Sequence, residues 1–356
     1  MFKINRKKIA DNTYRKGLVY LNSLMKRTYI PHPRTHLYIE PVSYCNLECR
    51  FCAYHKKTMK RNVMDVPFFE NVVHEAVGLG YTDFGLTPLT GEVFCDKDFM
   101  KKIDILEKTE GVRSYHFFTN FVLADNEIIK QILDLKKLSN ITISIYGYDL
   151  ETFKIFTQKG ENQYNNLIKN LEYLVENIIL NKKLYKNICI TWKINNDDNF
   201  FHSNSDLKNV VSRLSAILQE NNISINRSYN NWGGIINKED IKGMNIKLKT
   251  EGVKKRGACS LLFYKNIILS DGRVNACACR DVNGKLIIGN INNDSLRNIL
   301  SSSNKRLVSI IEEQQHGNFN EVCSACDFYR SIYKNYEIYK DKKVLSIKEA
   351  YDILSY

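Results

Sequence analysis

The run Tyr44-Cys45-Asn46-Leu47-Glu48-Cys49-Arg50-Phe51-Cys52-Ala53-Tyr54 sets three cysteines at the spacing C-x3-C-x2-C. Three closely spaced thiolates suit a [4Fe–4S] cube, each holding one iron. The fourth iron is then left without a protein ligand and is open to a small molecule. A closed structural site would need a fourth ligand close by, and His55 is the one such residue type in the next dozen positions. A zinc knuckle is the alternative; it ordinarily uses paired C-x2-C ligands or mixed cysteine and histidine sets.

Outward from this loop, from about residue 37 to 229, short β-branched runs alternate with helical patterns. His36-Leu37-Tyr38-Ile39-Glu40 reads as a first strand leading into the cysteines. A helix follows from Pro67 to about Leu79, with proline at the position that has no N–H to satisfy. Further strands are expected at Asp83–Thr87, Ser114–Phe118, Ile141–Ile145, Asn187–Trp192 and Ile223–Asn226. Helical patterns cover about 97–109, from Asn126, 163–179 and 205–220. Strands separated by helices imply parallel βαβ units in an α/β fold. Parallel barrels place their chemistry at the C-terminal strand ends, which is where the cysteine loop falls.

With the aromatic Phe51 just before its third cysteine, the loop closely resembles that of the radical S-adenosylmethionine (SAM) superfamily. The resemblance implies a partial (β/α)6 TIM-like barrel over about 37–229. It implies a cluster on Cys45, Cys49 and Cys52 whose open iron chelates SAM, and one-electron cleavage to a 5′-deoxyadenosyl radical that abstracts a substrate hydrogen. Pro88-Leu89-Thr90-Gly91-Glu92-Val93 resembles the family's Gly-Gly-Glu-Pro motif, which makes Gly91 and Glu92 candidates to hold the SAM ammonium. Thr119-Asn120 resembles Thr-Asn-Gly, with Phe121 in place of the glycine, and Asn120 is a candidate SAM contact. Ser144-Ile145-Tyr146-Gly147 resembles Ser-Ile-Asp-Gly, with Ser144 as the matching contact. Tyr146 replaces the usual aspartate, and Thr157 falls where many relatives carry an arginine for the SAM carboxylate; Lys154 or Lys159 is the expected substitute. Alternation on the fifth strand turns Cys189, Thr191 and Lys193 to one face, expected to be the lumenal one. Cys189 and Cys95 are then candidate hydrogen donors or packing thiols.

A second group follows: Cys259, Cys277, Cys279, Cys323 and Cys326. The arrangement C-x12-G-x4-C from Cys259 to Cys277, around the turn signal Ser270-Asp271-Gly272, precedes a C-x2-C at Cys323 and Cys326. It resembles the SPASM/Twitch extensions of radical SAM enzymes, expected here over 257–330. Four thiolates close around one auxiliary [4Fe–4S] cluster, and the absence of cysteine from Asp327 to Tyr356 matches the single-cluster Twitch form. Zinc on the same four cysteines is the alternative. Cys279 is open as a replacement ligand, a donor toward substrate or a packing residue.

The chain has 356 residues, ten cysteines and a net charge of +13. It shows no secretory signal and no run approaching about 18 apolar residues. Such thiol usage points to a reducing, cytoplasmic setting and metal ligation. Residues 1–36 form a basic extension with Leu18, Leu21, Leu24 and Met25 at helix-like spacing. They read either as a peripheral contact with anionic lipid or as a solvated helix capping the barrel. No Arg-rich, Gly-rich or interleaved aromatic tract points to nucleic acid. A polar connector over 230–256 and a helical tail over 331–356 complete the organisation. The resemblance implies an external electron donor such as flavodoxin or ferredoxin. Only about 36 residues precede the first strand, too few for a leader-peptide domain. The expectation is therefore dehydrogenation or epimerisation of a carbohydrate or other small molecule, phosphorylated or nucleotide-linked in view of the charge. A peptide maturase forming thioether or carbon–carbon links, and a non-catalytic zinc protein, are the alternatives.

Overall fold

The computed structural model describes all residues except 1–16, 87–88, 182–186, 219–221, 250–253, 341 and 356. The expected strand at Asp83–Thr87 and the motif at Pro88 thus run partly outside the described residues, as do Lys3, Arg6, Lys7, Lys8, Arg15 and Lys16 of the basic extension.

Six strands form a parallel sheet in sequence order: β1 (His36–Ile39), β2 (Asp83–Gly85), β3 (Ser114–Thr119), β4 (Leu138–Tyr146), β5 (Ile188–Lys193) and β6 (Ile223–Asn226). The intervening helices are α1 (Val66–Gly78), α2 (Phe99–Lys108), α3 (Asn126–Asp134), α4 (Leu150–Thr157), α5 (Glu161–Asn181) and α6 (Asp206–Ile217). This is a partial TIM-like barrel. Along β5 the side chains alternate, with Ile188, Ile190 and Trp192 buried on one face and Cys189, Thr191 and Lys193 partly exposed on the other.

The sheet does not stop at the barrel. β7 (Ile267–Ile268) pairs parallel with β1, and β8 (Arg273–Asn275) and β9 (Ile287–Asn290) extend it antiparallel. The hairpin at Ser270-Asp271-Gly272 is the expected one, and it docks the C-terminal region directly beside the first barrel strand. Glu40, at the end of β1, fastens the junction: it accepts from Ser270 Oγ at 3.0 Å and faces Lys57 at 3.6 Å, and the Glu40 and Lys57 side chains are both buried.

Three expectations change. Helix α4 was not separated from the strand-four turn by periodicity, yet its ends are encoded: Asp149 and Thr152 make a capping box, and Gln158 closes it in the left-handed conformation. The stretch 230–256 is not a loose polar connector where it is described. Trp232 packs against the core, and Ile236, Ile241, Met244 and Leu248 are buried. Lys247–Leu248 also pairs with Ser228–Tyr229. The helical residues 17–24 leave Leu18, Leu21, Leu24 and the following Met25 exposed rather than packed under the barrel. Near the chain ends, Ile30–Pro31 pairs with Val344–Leu345, so both extensions meet. No helix among the described residues is long and apolar enough to cross a membrane.

The lumen holds a cluster of three tilted rings: His36 and Tyr38 lie 4.7 Å apart by centroid and His36 and His116 5.1 Å. Gly85 makes this possible, because a Cβ there would fall 2.4 Å from the Tyr38 ring. Burial pushes His36 down to about 3 and His116 to about 4. Both are therefore neutral in the folded chain while the unfolded chain protonates near pH 6.5. Their contribution is present above pH 6.5 and is lost as pH falls toward 4, by about 2 kcal/mol each between pH 7 and 5. Urea titrations at pH 7 and pH 5 should show this loss, and His116→Gln should flatten it.

Candidate functional site

Cys45, Cys49 and Cys52 occupy the loop after β1, and none is in a disulfide. The end of α4 pins this loop: Glu48 N–H donates to Thr157 O at 3.0 Å and Arg50 N–H to Phe156 O at 3.2 Å. Phe51 packs on Tyr229, Tyr146 and Phe156, at 4.8, 5.3 and 6.0 Å between centroids. Its carbonyl accepts from the Trp232 indole at 3.1 Å. All three cysteines line one cavity of about 530 Å3. Burial raises each thiol. In such a site the protons leave when a metal takes their place.

Glu92 joins the strand ends beside this loop. Its carboxylate accepts from Thr119 Oγ1 and from Asn120 N–H, both at 2.6 Å, and from Phe94 N–H at 3.3 Å. Burial pushes its pKa up to about 7, and these donors hold it from rising further. Asn120 reaches across to Asn46 Oδ1 at 2.8 Å, tying the third strand to the cysteine loop. Phe121, standing where the motif has glycine, adopts φ +63. That conformation costs about 1 kcal/mol or more, and the surroundings enforce it. Phe121 N–H donates to Thr119 Oγ1 at 2.8 Å, and its carbonyl accepts from buried Asn170 at 2.9 Å. Gly91, Glu92, Asn120 and Ser144 all line the cavity.

The second group of cysteines gathers in the C-terminal region, and of its members Cys279 lines the same cavity. Cys277 exerts an electrostatic influence on Cys259, Cys323 and Cys326, so the four thiols are neighbours in space. Backbone N–H groups are aimed at the sulfurs: Phe328 at Cys326 (3.3 Å), Cys279 at Cys277 (3.4 Å) and Arg330 at Cys259 (3.5 Å). Such donors are a lever on the potential of an iron–sulfur cluster. Among the described residues, no group of three or more His, Cys, Asp or Glu side chains is gathered for a single metal ion. Three thiols of the first set would each hold one iron of a cube and leave the fourth open, and the four thiols of the second set would close one cube.

Two family models match, that of the radical SAM superfamily over residues 39–200 and that of the SPASM iron–sulfur cluster-binding domain over 259–327. The chain belongs to the radical SAM superfamily. A radical SAM enzyme of this type carries a SAM-binding [4Fe–4S] cluster and an auxiliary cluster. Among curated relatives, an uncharacterized protein of Methanocaldococcus jannaschii is 31% identical over 143 residues, 40% of this chain and 44% of that protein. The GTP 3′,8-cyclase of Haemophilus ducreyi is 22% identical over 145 residues, 40% of this chain and 41% of the cyclase. The match thus spans less than half the length of either relative. Solved structures share the fold. BtrN in complex with AdoMet and 2-DOIA has a TM-score of 0.53 at 12% identity, over 87% of this chain and 98% of BtrN. Streptococcus suis SuiB bound to precursor peptide SuiA has a TM-score of 0.53 at 15% identity, over 92% and 78%. AdoMet-bound anSMEcpe has 0.53 at 16%, over 90% and 92%.

Several expected site residues of this radical SAM chain lie elsewhere. Lys154 is exposed, and Lys159 is engaged with Glu48 at 2.9 Å; neither lines the cavity. Thr157 is fully buried, its hydroxyl returned to Phe153 O at 2.7 Å, because this turn of α4 faces the cysteine loop it supports. The cation that does line the cavity beside the cysteines is Lys193, with its ammonium 5.3 Å from the Phe51 ring centre and 5.2 Å from that of Tyr146. Tyr146 and Lys193 are register partners on β4 and β5. Strand alternation already turned Lys193 inward; packing sets its ammonium beside Phe51 and Tyr146, while the two lysines of α4 and its cap stay outside the cavity. Cys189 does not line the cavity: it sits four residues, about 13 Å, before Lys193 and accepts from Asn140 at 2.8 Å. Cys95 packs near Glu92 and Asn46, outside the lining. Cys279 does line it, together with Ala278 and Arg280. Lys265 is a lining residue that no local pattern announces, since it follows the four-residue helix Leu261–Tyr264.

Proposed function

We propose that this radical SAM enzyme oxidises a small polar molecule of carbohydrate type by removal of two hydrogens. The observation carrying this reading is that one cavity of about 530 Å3 is bounded by Cys45, Cys49 and Cys52 on one side and by the Ala278–Arg280 wall of the second thiol set on the other. When bound, the first cluster with SAM supplies a 5′-deoxyadenosyl radical, and an auxiliary cluster on Cys259, Cys277, Cys323 and Cys326 supplies a one-electron acceptor. Radical SAM enzymes also need a reductant, for which flavodoxin or ferredoxin is our proposal. The residues of the chain hold the reactants and exclude water: Phe51, Tyr146, Tyr229 and Trp232 form the apolar wall. Of the three thiols expected as hydrogen donors, Cys279 alone reaches the cavity among the described residues, and its N–H and carbonyl are committed to Cys277 and Arg280. An epimerase would use that thiol as its hydrogen donor, so the two reactions are separated by the deuterium experiment below.

On this fold BtrN is seen with 2-DOIA and SuiB with a precursor peptide, so the fold leaves the substrate class open and the cavity argues for the small one. Incubation in D2O with SAM, reductant and a small-metabolite fraction tests it. A product lighter by two hydrogens, with one 5′-deoxyadenosine each, is expected. Deuterium uptake without oxidation would make the enzyme an epimerase, and turnover of peptides alone would make it a maturase.

Lys193 takes the SAM carboxylate in this reading, in place of the arginine that Thr157 displaces. A charge-assisted contact is worth about 1.5–3 kcal/mol, so Lys193→Met should weaken SAM about ten- to a hundredfold. Lys193→Arg should restore part of that, and binding of decarboxylated SAM should not change. Equilibrium dialysis on the reconstituted protein reads all three.

A further inference from the structure

The cavity wall is lopsided in charge. Lys193, Lys249, Lys265 and Arg280 line it, against Glu92 as the one carboxylate among the described lining residues. Glu92 is already occupied by its three donors. Arg280 is also committed, donating to Asp327 at 2.8 Å and to the Cys279 carbonyl at 2.8 Å. Lys193 faces the cysteine loop, and Lys249 lies at the exposed rim.

Lys265 is different. It stands on the auxiliary side, between the helix Leu261–Tyr264 and β7, with Cys279 close enough to influence it. It is largely buried, and no acid partner for it is found among the described residues. Its ammonium donates to Tyr38 Oη at 2.8 Å. An ammonium carries three donors, so two remain for whatever fills the cavity. Holding a cation out of water without a counter-charge is costly. The chain also gives up a side chain at Gly85 to let the Tyr38 ring lie where its hydroxyl meets this ammonium.

We propose that Lys265, steadied by Tyr38, anchors an oxyanion of the substrate, a phosphate ester or a carboxylate, against the Ala278–Cys279 wall. This deepens the reading above in one respect only: it takes the shared cavity as the substrate site. The anchored substrate lies between the two thiol sets, with its uncharged part toward Cys45, Cys49 and Cys52. The competing role for Lys265 is to offset the charge of an auxiliary cluster.

The test is binding, not turnover, so it is decided independently of whether the reaction is an oxidation. A chain with net charge +13 attracts oxyanions everywhere on its surface, so the measurement must be local. In reconstituted protein with the auxiliary cluster reduced to its paramagnetic state, nuclear relaxation of glucose 6-phosphate and inorganic phosphate is followed at phosphorus, and that of gluconate at carbon. Saturable relaxation enhancement in the wild type is expected from the phosphate or the carboxylate arm, and the responding arm names the group. Lys265→Met should weaken it about tenfold or more, with iron content and the cluster's electron paramagnetic resonance unchanged. Tyr38→Phe, which deletes one hydroxyl, should weaken it less. Absence of saturable enhancement in the wild type, or equal affinity in Lys265→Met, overturns the proposal. If Lys265→Met fails to assemble the cluster, Tyr38→Phe decides, and unchanged affinity there overturns it equally.

Discussion

Alanine at Cys45, Cys49 or Cys52 is expected to abolish 5′-deoxyadenosine formation, by about a thousandfold or more, since changes merely outside a metal's ligand set already cost roughly 10–100-fold. The three thiols share one loop held at several points. Thr157 and Phe156 carbonyls pin its backbone, and Trp232 holds the carbonyl of Phe51. The loop should therefore keep its course when one sulfur is lost, and the defect should be in iron binding. Anaerobic reconstitution reads this directly. Each variant should retain auxiliary iron and lose both the remaining iron and SAM cleavage. Cleavage at the wild-type rate in any of the three would remove that cysteine from the cluster.

The second large effect separates the two thiol sets. Cys323→Ala or Cys326→Ala should leave SAM cleavage measurable while substrate oxidation falls about a hundredfold or more. The physical basis is spatial. The first three cysteines, Glu92, Asn120, Ser144 and Lys193, proposed above to hold SAM, line the cavity, whereas Cys323 and Cys326 do not. Those two thiols sit in and after the short helix Glu321–Ala325, close enough to Cys277 for its charge to act on both. Product and 5′-deoxyadenosine, measured together, should come apart. Full oxidation in both variants would deny an auxiliary cluster any part in the reaction.

The barrel was legible because its information is local. Val, Ile and Phe runs of four to six residues, broken by turn residues and helical periods, mark parallel strands. The cysteine loop lies at a strand end, where parallel barrels do their chemistry. The hairpin at Asp271-Gly272 was legible for the same reason, although its pairing with β1 was not, since β7 meets Tyr38 and Ile39 from more than two hundred residues away. Helix α4 was missed as an element, yet it is coded by its caps, Asp149 with Thr152 and Gln158, rather than by an apolar period.

Which side chains meet in the cavity was another matter. Lys154, Lys159 and Lys193 are equivalent as residues in a sequence. The packing of α4 on the cysteine loop sends the first to solvent and the second to Glu48, and the register of β5 against β4 carries the third between Phe51 and Tyr146. Of Cys95, Cys189 and Cys279, likewise alike as residues, only Cys279, on the C-terminal segment after β8, lines the cavity. The sequence by itself determined the two thiol sets and the six parallel strands, because spacing and period act over a few residues, and its resemblance to a known family implied the kind of chemistry. The tertiary structure alone decided that Lys193, Lys265 and Cys279 share one cavity. Their convergence depends on long-range packing, and no local pattern encodes it.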